Sequence, residues 1–219
     1  MVKDIVPNSS SKARTRVKMS RSGLAIALSA LEGFKISKVS VEQYMTDSEV
    51  AATVLWDAYM KGDIDGKMIA DLGSGTGVLG IGALMLGAKV YFVESESSAM
   101  ETCKKNVEKV QSESSAEFVL GDVADFEEKV DTVIMNPPFG TKSEHADRKF
   151  LEKAFEISNV VYSFHKTSTK SFVEAIAKDN NFEIKQVIDM DYPLKATMNF
   201  HKKRIERIKV SVFRLVKKK

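Results

Sequence analysis

The 219-residue sequence has a single cysteine, Cys103, which excludes an intrachain disulfide and any zinc site built from several cysteines. Its three histidines are scattered, and neither His165 nor His201 falls in an HExxH or similar spacing, so no metal is expected. No apolar run reaches the roughly 18 residues that a membrane helix needs, and no signal-peptide pattern opens the chain. A soluble protein of the cytoplasm, with no membrane partner, is therefore expected. There is no internal repeat and no clear linker, and 43% hydrophobic content supplies a substantial core.

Charge is unevenly spread. Residues 1–22 carry six Lys/Arg against Asp4, and residues 201–219 carry nine against Glu206, giving +5 and +8 at the two ends of a chain whose net charge is +3. The body is correspondingly acidic. Basic ends around an acidic body suggest a polyanionic partner gripped by the termini. Polar residues 8–14 read as part of a mobile basic arm over 1–22, followed by a helical extension over 23–60 and a catalytic domain over 61–219.

The chemistry converges on Asn136-Pro137-Pro138-Phe139-Gly140. It follows the β-branched run Val130 to Met135, which reads as a buried strand, so it sits where open α/β sheets place their active groups. An exocyclic amine such as adenine N6 is a poor nucleophile because its lone pair is drawn into the ring. The Asn136 carboxamide oxygen and the Pro137 carbonyl are two acceptors that could hold both amine hydrogens and turn the lone pair outward. Pro137 and Pro138 stiffen the loop, and Phe139 offers a face on which a base can stack. Alone, the motif reads equally well as a turn.

Met68 to Leu72 reads as a first strand running into Gly73-Ser74-Gly75-Thr76-Gly77, with a helix from Val78 to Leu86. Gly75 to Gly80 matches the GxGxxG dinucleotide pattern, but Asp71 at the strand end would lie badly beside a pyrophosphate. An acid there suits a ligand with a positive amino group, so Asp-x-Gly-x-Gly-x-Gly reads as a pocket for S-adenosylmethionine. The strand Lys89 to Val93 ends at Glu94, placed to take ribose hydroxyls with Glu96 as backup, and the strand Ala116 to Leu120 leads to Asp122-Val123, placed to meet adenine. Thr46 and Glu49 have capping-box spacing ahead of a helix whose start, with Gln43, could meet a ligand carboxylate. Cys103 has apolar neighbours and reads as a buried structural thiol. Further helices are expected over Gly23 to Gly33, Ser97 to Val110, Asp147 to Ser158 and Thr167 to Lys178. Further strands are expected over Val160 to Phe164, Phe182 to Met190 and Ile205 to Val216, with Tyr192-Pro193 in the last connection. That connection also holds Phe200-His201-Lys202-Lys203-Arg204, an aromatic and basic mixture suited to stacking bases and holding phosphates.

Asp71 to Gly77, Glu94, Asp122 and Asn136 to Phe139, in this order, resemble the class I S-adenosylmethionine-dependent methyltransferases. Leu31-Glu-Gly-Phe34, Glu42-Gln-Tyr-Met-Thr46, Met135 to Lys142, Tyr162-Ser-Phe-His-Lys166 and Phe200-His-Lys-Lys203 narrow the resemblance to the methyltransferase-like protein five family. This implies a Rossmann-like α/β fold with seven strands, mostly parallel with an antiparallel last strand, and formation of N6-methyladenosine in structured RNA, small-subunit ribosomal RNA above all. It implies that Gln43 and Thr46 hold the cofactor's methionine end, that Gly73, Thr76 and Val78 line its pocket, and that Asp122 with Val123 meets adenine. Glu94 stands where the family commonly has Asp, and Met45 where it often has Pro. Lys142, His165, Lys166, Phe200, His201, Lys202, Lys203 and Arg204 are expected to face RNA. Eukaryotic members bind a small zinc-containing activator protein. A DNA adenine methyltransferase, a protein glutamine methyltransferase and an idle cofactor-binding subunit are the alternatives.

Overall fold

Two helices near the start of the described residues meet along small and branched apolar residues. In a computed structural model, which describes residues 19–34, 45–110, 112, 115–138, 146–194 and 206–219, α1 spans Arg21–Ser29 and α2 spans Ser48–Met60. The Ser20 hydroxyl accepts from Gly23 N–H at 3.0 Å and caps α1, so the helix opens before Gly23 and the boundary drawn at residue 22 falls inside it. Asp47, not Thr46, caps α2: its carboxylate accepts from the amides of Glu49 at 3.0 Å and Val50 at 3.3 Å. An Asp side chain one residue closer to the free amides displaces the expected capping box and leaves Thr46 for another partner. Leu24 and Leu28 of α1 are fully buried with Val54 and Leu55 of α2, in a core they share with the sheet.

The sheet follows from short, doubly apolar runs alternating with amphipathic helices. Its strands are β1 (Met68–Leu72), β2 (Lys89–Glu94), β3 (Ala116–Leu120), β4 (Thr132–Met135), β5 (Val160–Lys166), β6 (Phe182–Leu194) and β7 (Glu206–Lys217). Between them run α3 (Val78–Met85), α4 (Ser97–Lys109), α5 (Ala146–Ile157) and α6 (Lys170–Asp179). The strand order is β3-β2-β1-β4-β5-β7-β6; the first five strands are parallel, and β7 runs antiparallel to both β5 and β6. Alternation along each strand divides the core in two. Ile69, Phe92, Ile134 and Phe164 face α1 to α4, whereas Ala70, Val93, Val133, Met135 and Phe213 face α5 and α6.

Chain order reverses between β1 and β4, and their register pairs Leu72 with Met135. The glycine loop and Asn136 therefore both begin one residue beyond paired strand ends, at the switch point where such sheets bind ligands. Expected boundaries move at β5, which runs on to Lys166, and at two later elements. A 3-10 turn at Thr167–Thr169 precedes α6. β6 continues past Met190, with Tyr192 paired to Ile208 and Pro193 to Arg207. Pro193 is tolerated there because β6 is the last strand of the sheet and needs no amide donor on its outer side. The tyrosine-proline pair expected in the connection is thus strand.

Candidate active site

Gly73 to Gly77 turns the chain from β1 into α3 over the end of the sheet. Gly77 precedes α3 at φ 89°, and a Cβ there would lie 2.6 Å from the Cys103 sulfur, so neither the conformation nor the space admits a side chain. Gly80 is needed for a different reason. Its N–H donates to Asp71 Oδ2 at 2.7 Å, and a Cβ would come within 2.4 Å of the Phe92 ring. The third glycine of the GxGxxG pattern thus serves the approach of α3 to a buried acid, not that of a pyrophosphate.

Asp71 is 1% exposed, and burial pushes its carboxyl up to about 7, with Gly80 N–H pulling down and the nearby Glu94 charge adding to the rise. A carboxylate held out of water in this way is poised to receive a cation. Glu94 is also buried; its Oε2 accepts from Gly75 N–H at 2.8 Å and its Oε1 from Glu96 N–H at 2.9 Å, so it ties the glycine loop to the end of β2. Asn106 of α4 donates to the carbonyls of Thr76 and Glu32, each at 3.0 Å, and accepts from Glu32 N–H, which draws the segment leading to Phe34 over the loop.

A cavity of about 230 Å³ opens at this place. Of the expected cofactor residues, Thr46, Asp71, Gly73, Gly75, Thr76, Glu94, Asp122 and Val123 line it, together with Asn136, Pro137 and Pro138. Gly77 and Val78 are not part of the lining. Asn136 follows β4 directly. Its Nδ2 donates to Thr46 Oγ1 at 3.0 Å and to the Tyr192 hydroxyl at 3.4 Å, while its Oδ1 is buried without a hydrogen-bond partner. Such an orphaned acceptor costs about 1–3 kcal/mol unless something donates to it. An amine presented from the cavity would do so.

A family model described as the methyltransferase small domain matches residues 46–159. The rRNA N(6)-adenosine-methyltransferase METTL5 of Danio rerio is 36% identical over 199 residues, covering 87% of this chain and 96% of that protein; Mettl5 of Drosophila melanogaster is 35% identical over 196 residues, covering 85% and 92%. The chain belongs to the METTL5 family of methyltransferases. The solved structure of PH1948 from Pyrococcus horikoshii shares the fold of this METTL5-family chain with a TM-score of 0.83 and 46% identity, over 90% of this chain and 97% of that one.

Other expected residues of this METTL5-family chain are placed less directly. Asp122 accepts from Ala124 N–H at 2.9 Å, and its carboxylate lies 2.6 Å from Lys149 Nζ of α5, whose hydrogen bond holds it below the usual carboxylate range. His165 was expected to face RNA, yet it is 2% exposed, lies 2.7 Å from Ser163 Oγ, and is lowered by burial to about 4. β5 runs two residues longer than its apolar pattern suggests, so the imidazole lies inside the sheet as a neutral group, at a small pocket that it borders with Lys166, Pro137 and Pro138. Lys166, the last residue of β5, stays partly exposed. Gln43, Phe139, Lys142, Phe200, His201, Lys202, Lys203 and Arg204 lie outside the described residues. Cys103 is a buried free thiol, as its neighbours imply. The sequence did not single out Tyr192, Phe150 or Lys149. Phe34 belongs to the Leu31-Glu-Gly-Phe34 motif, which signalled the family but no role. Among the described residues no group of three or more His, Cys, Asp or Glu could hold a metal ion, and no helix is long and apolar enough to cross a membrane.

Proposed function

We propose that this chain transfers a methyl group from S-adenosylmethionine to N6 of an adenosine in ribosomal RNA, most specifically that of the small subunit. The observation that carries the reading is the buried, unpartnered Oδ1 of Asn136 at the switch point of the sheet. The residues present fit the donor: Asp71 supplies a buried acid for its ammonium group, Glu94 an acceptor for ribose hydroxyls, and Val123 an apolar wall beside Asp122 for adenine. When bound, the donor supplies an electrophilic methyl on a sulfonium.

Everything else is done by the chain. Asn136 Oδ1 and the Pro137 carbonyl accept the two amine hydrogens and turn the N6 lone pair toward the methyl. Pro137 is buried, and with Pro138 it fixes the loop without amide donors that would compete for those acceptors. Phe139 stacks on the target base. As the new N–C bond forms, the methyl C–S bond breaks and its electron pair stays on sulfur as a neutral thioether; N6 becomes cationic and acidic, so its proton passes to water without a strong base. The adenosine is extruded from its helix or presented unpaired. Lys142, Lys166 and Phe200 to Arg204 hold the flanking RNA. The cytoplasm is the compartment this reading assigns. We further propose that a small zinc-containing activator covers β3, the end strand of the sheet, where Leu120 is 59% exposed.

The test is label transfer from S-adenosylmethionine to small-subunit ribosomal RNA, duplex DNA and total protein in parallel, followed by nucleoside digestion. N6-methyladenosine from RNA is expected, with loss of at least about 100-fold in Asn136→Ala at nearly unchanged donor binding. Label in DNA or in glutamine would refute the substrate assignment, and donor binding without transfer, even with an activator added, would point to an idle subunit.

A further inference from the structure

A carboxamide can present either its oxygen or its nitrogen to a substrate, and only one orientation helps an amine. The contacts behind Asn136 choose between them. Tyr192 lies in β6, far along the chain and fully buried, and its hydroxyl donates to the Met45 carbonyl at 3.4 Å. A tyrosine hydroxyl has one proton. With that proton on Met45, only lone pairs remain toward Asn136, so the group that faces Tyr192 must be the amide N–H, at 3.4 Å. Thr46 Oγ1 takes the same Nδ2 at 3.0 Å. The nitrogen is thereby engaged on both sides, and Oδ1 is left buried and unpartnered. Turning the amide over would set a carbonyl oxygen against the Tyr192 lone pairs.

We infer that Tyr192 is a positioning residue for methyl transfer, acting with Thr46 to lock the Asn136 carboxamide with its oxygen toward the amine. The inference rests on the functional reading above and deepens it. Tyr192 does not line the cavity; it also bonds Thr46 and the backbone of Asp47, and it reaches the amine through the Asn136 carboxamide. Burial, which pushes the Tyr192 hydroxyl up to about 12, keeps its proton in place at every pH at which the protein works. The arrangement also gives β6 a part in the chemistry, because a strand of the antiparallel hairpin reaches back beneath the loop after β4.

Tyr192→Phe removes the hydroxyl and keeps the ring. Wild type and variant are compared at saturating RNA transcript and donor, with the donor dissociation constant, RNA KM and thermal midpoint measured alongside. The expected result is a kcat reduced roughly tenfold, the worth of about one pinned hydrogen bond, with donor binding and KM within about twofold, since neither ligand is touched. In an Asn136→Ala background under single-turnover conditions, the same change should cost nothing further. An unchanged kcat, equal losses in donor binding and kcat, or additive losses in the double variant would each overturn the inference. Wild type that fails to methylate RNA would instead refute the functional reading, before Tyr192 is tested.

Discussion

Replacing Asp63 by alanine should unfold this protein readily while leaving its ligand site intact. Asp63 follows α2 and holds three elements at the amino-terminal edge of the sheet. Its Oδ2 accepts from the Tyr162 hydroxyl at 2.7 Å and from Arg214 Nε at 2.8 Å, its Oδ1 from Arg214 Nη2 at 3.3 Å, and its backbone carbonyl from Thr132 at 2.8 Å. Asp63 and Arg214 side chains are 11% and 18% exposed, so water reaches the guanidinium only in part. Removing one partner of a buried pair costs about 3–5 kcal/mol; partial hydration of Arg214 favours the low end, and the weakened environment of Tyr162 adds to it. For a chain of this length each kcal/mol lowers the melting midpoint by about 2–4 °C, which gives a drop of roughly 6–15 °C. Urea unfolding of the donor-free chain, with the slope checked for constancy, measures it. Thr132 opens β4 and the site lies beyond Met135, on the order of 10 Å along the strand, so the folded fraction should bind donor normally. The companion triple change Asp63→Leu, Tyr162→Phe and Arg214→Met should be less harmful than Asp63→Ala, because it leaves no stranded charge. A loss below about 1 kcal/mol for Asp63→Ala, or a triple variant worse than the single, would show that unpaired charge is not what governs this cluster.

Asp71 makes two pH-dependent outcomes. Its pKa, about 7 in the folded chain, lies above the ordinary 3.8, so between those values the folded state keeps a proton that the unfolded state has lost. Donor-free stability should therefore fall as pH rises from about 4 to about 7 by at most ~1.4 kcal/mol per pH unit, and Asp71→Asn should flatten that fall; an unaltered pH profile in the variant would refute it. Donor binding near pH 6.5 should release a proton, seen calorimetrically as a binding heat that varies with the ionisation enthalpy of the buffer. At Gly82 of α3, a Cβ would lie 2.3 Å from Leu55 Cδ1. Gly82→Ala should cost about 1–3 kcal/mol from overpacking in spite of better helix propensity, with Leu55→Ala in the same chain relieving part of it; a stabilised single variant would refute the contact.

The strands, the glycine loop and the Asn-Pro-Pro motif were legible in the sequence because each depends on local pattern. Continuous apolar runs mark parallel strands buried on both faces, glycines mark close approach, and acids after strand ends mark the carboxyl edge. Asp71, Glu94 and Asn136 could be named for that reason, and so could the α/β class. The burial of His165 was not legible in the same way, since a residue just beyond an apolar run looks exposed until the neighbouring strand, here β7, shows how far the pairing extends.

What only the tertiary structure decided is which groups meet. Thr46, Asn136 and Tyr192 carry no shared local signal, and Asn136 lies 90 residues from the first and 56 from the last. The capping role passed from Thr46 to Asp47, which freed the threonine hydroxyl, and β6 ran on past Met190 to deliver the tyrosine. Asp63, Tyr162 and Arg214 came together in the same way, from a loop and two antiparallel strands. Local pattern sets what each segment can form; the orientation of a single amide depends on lone pairs supplied by distant segments, and those are brought into contact only by the order and register of the sheet.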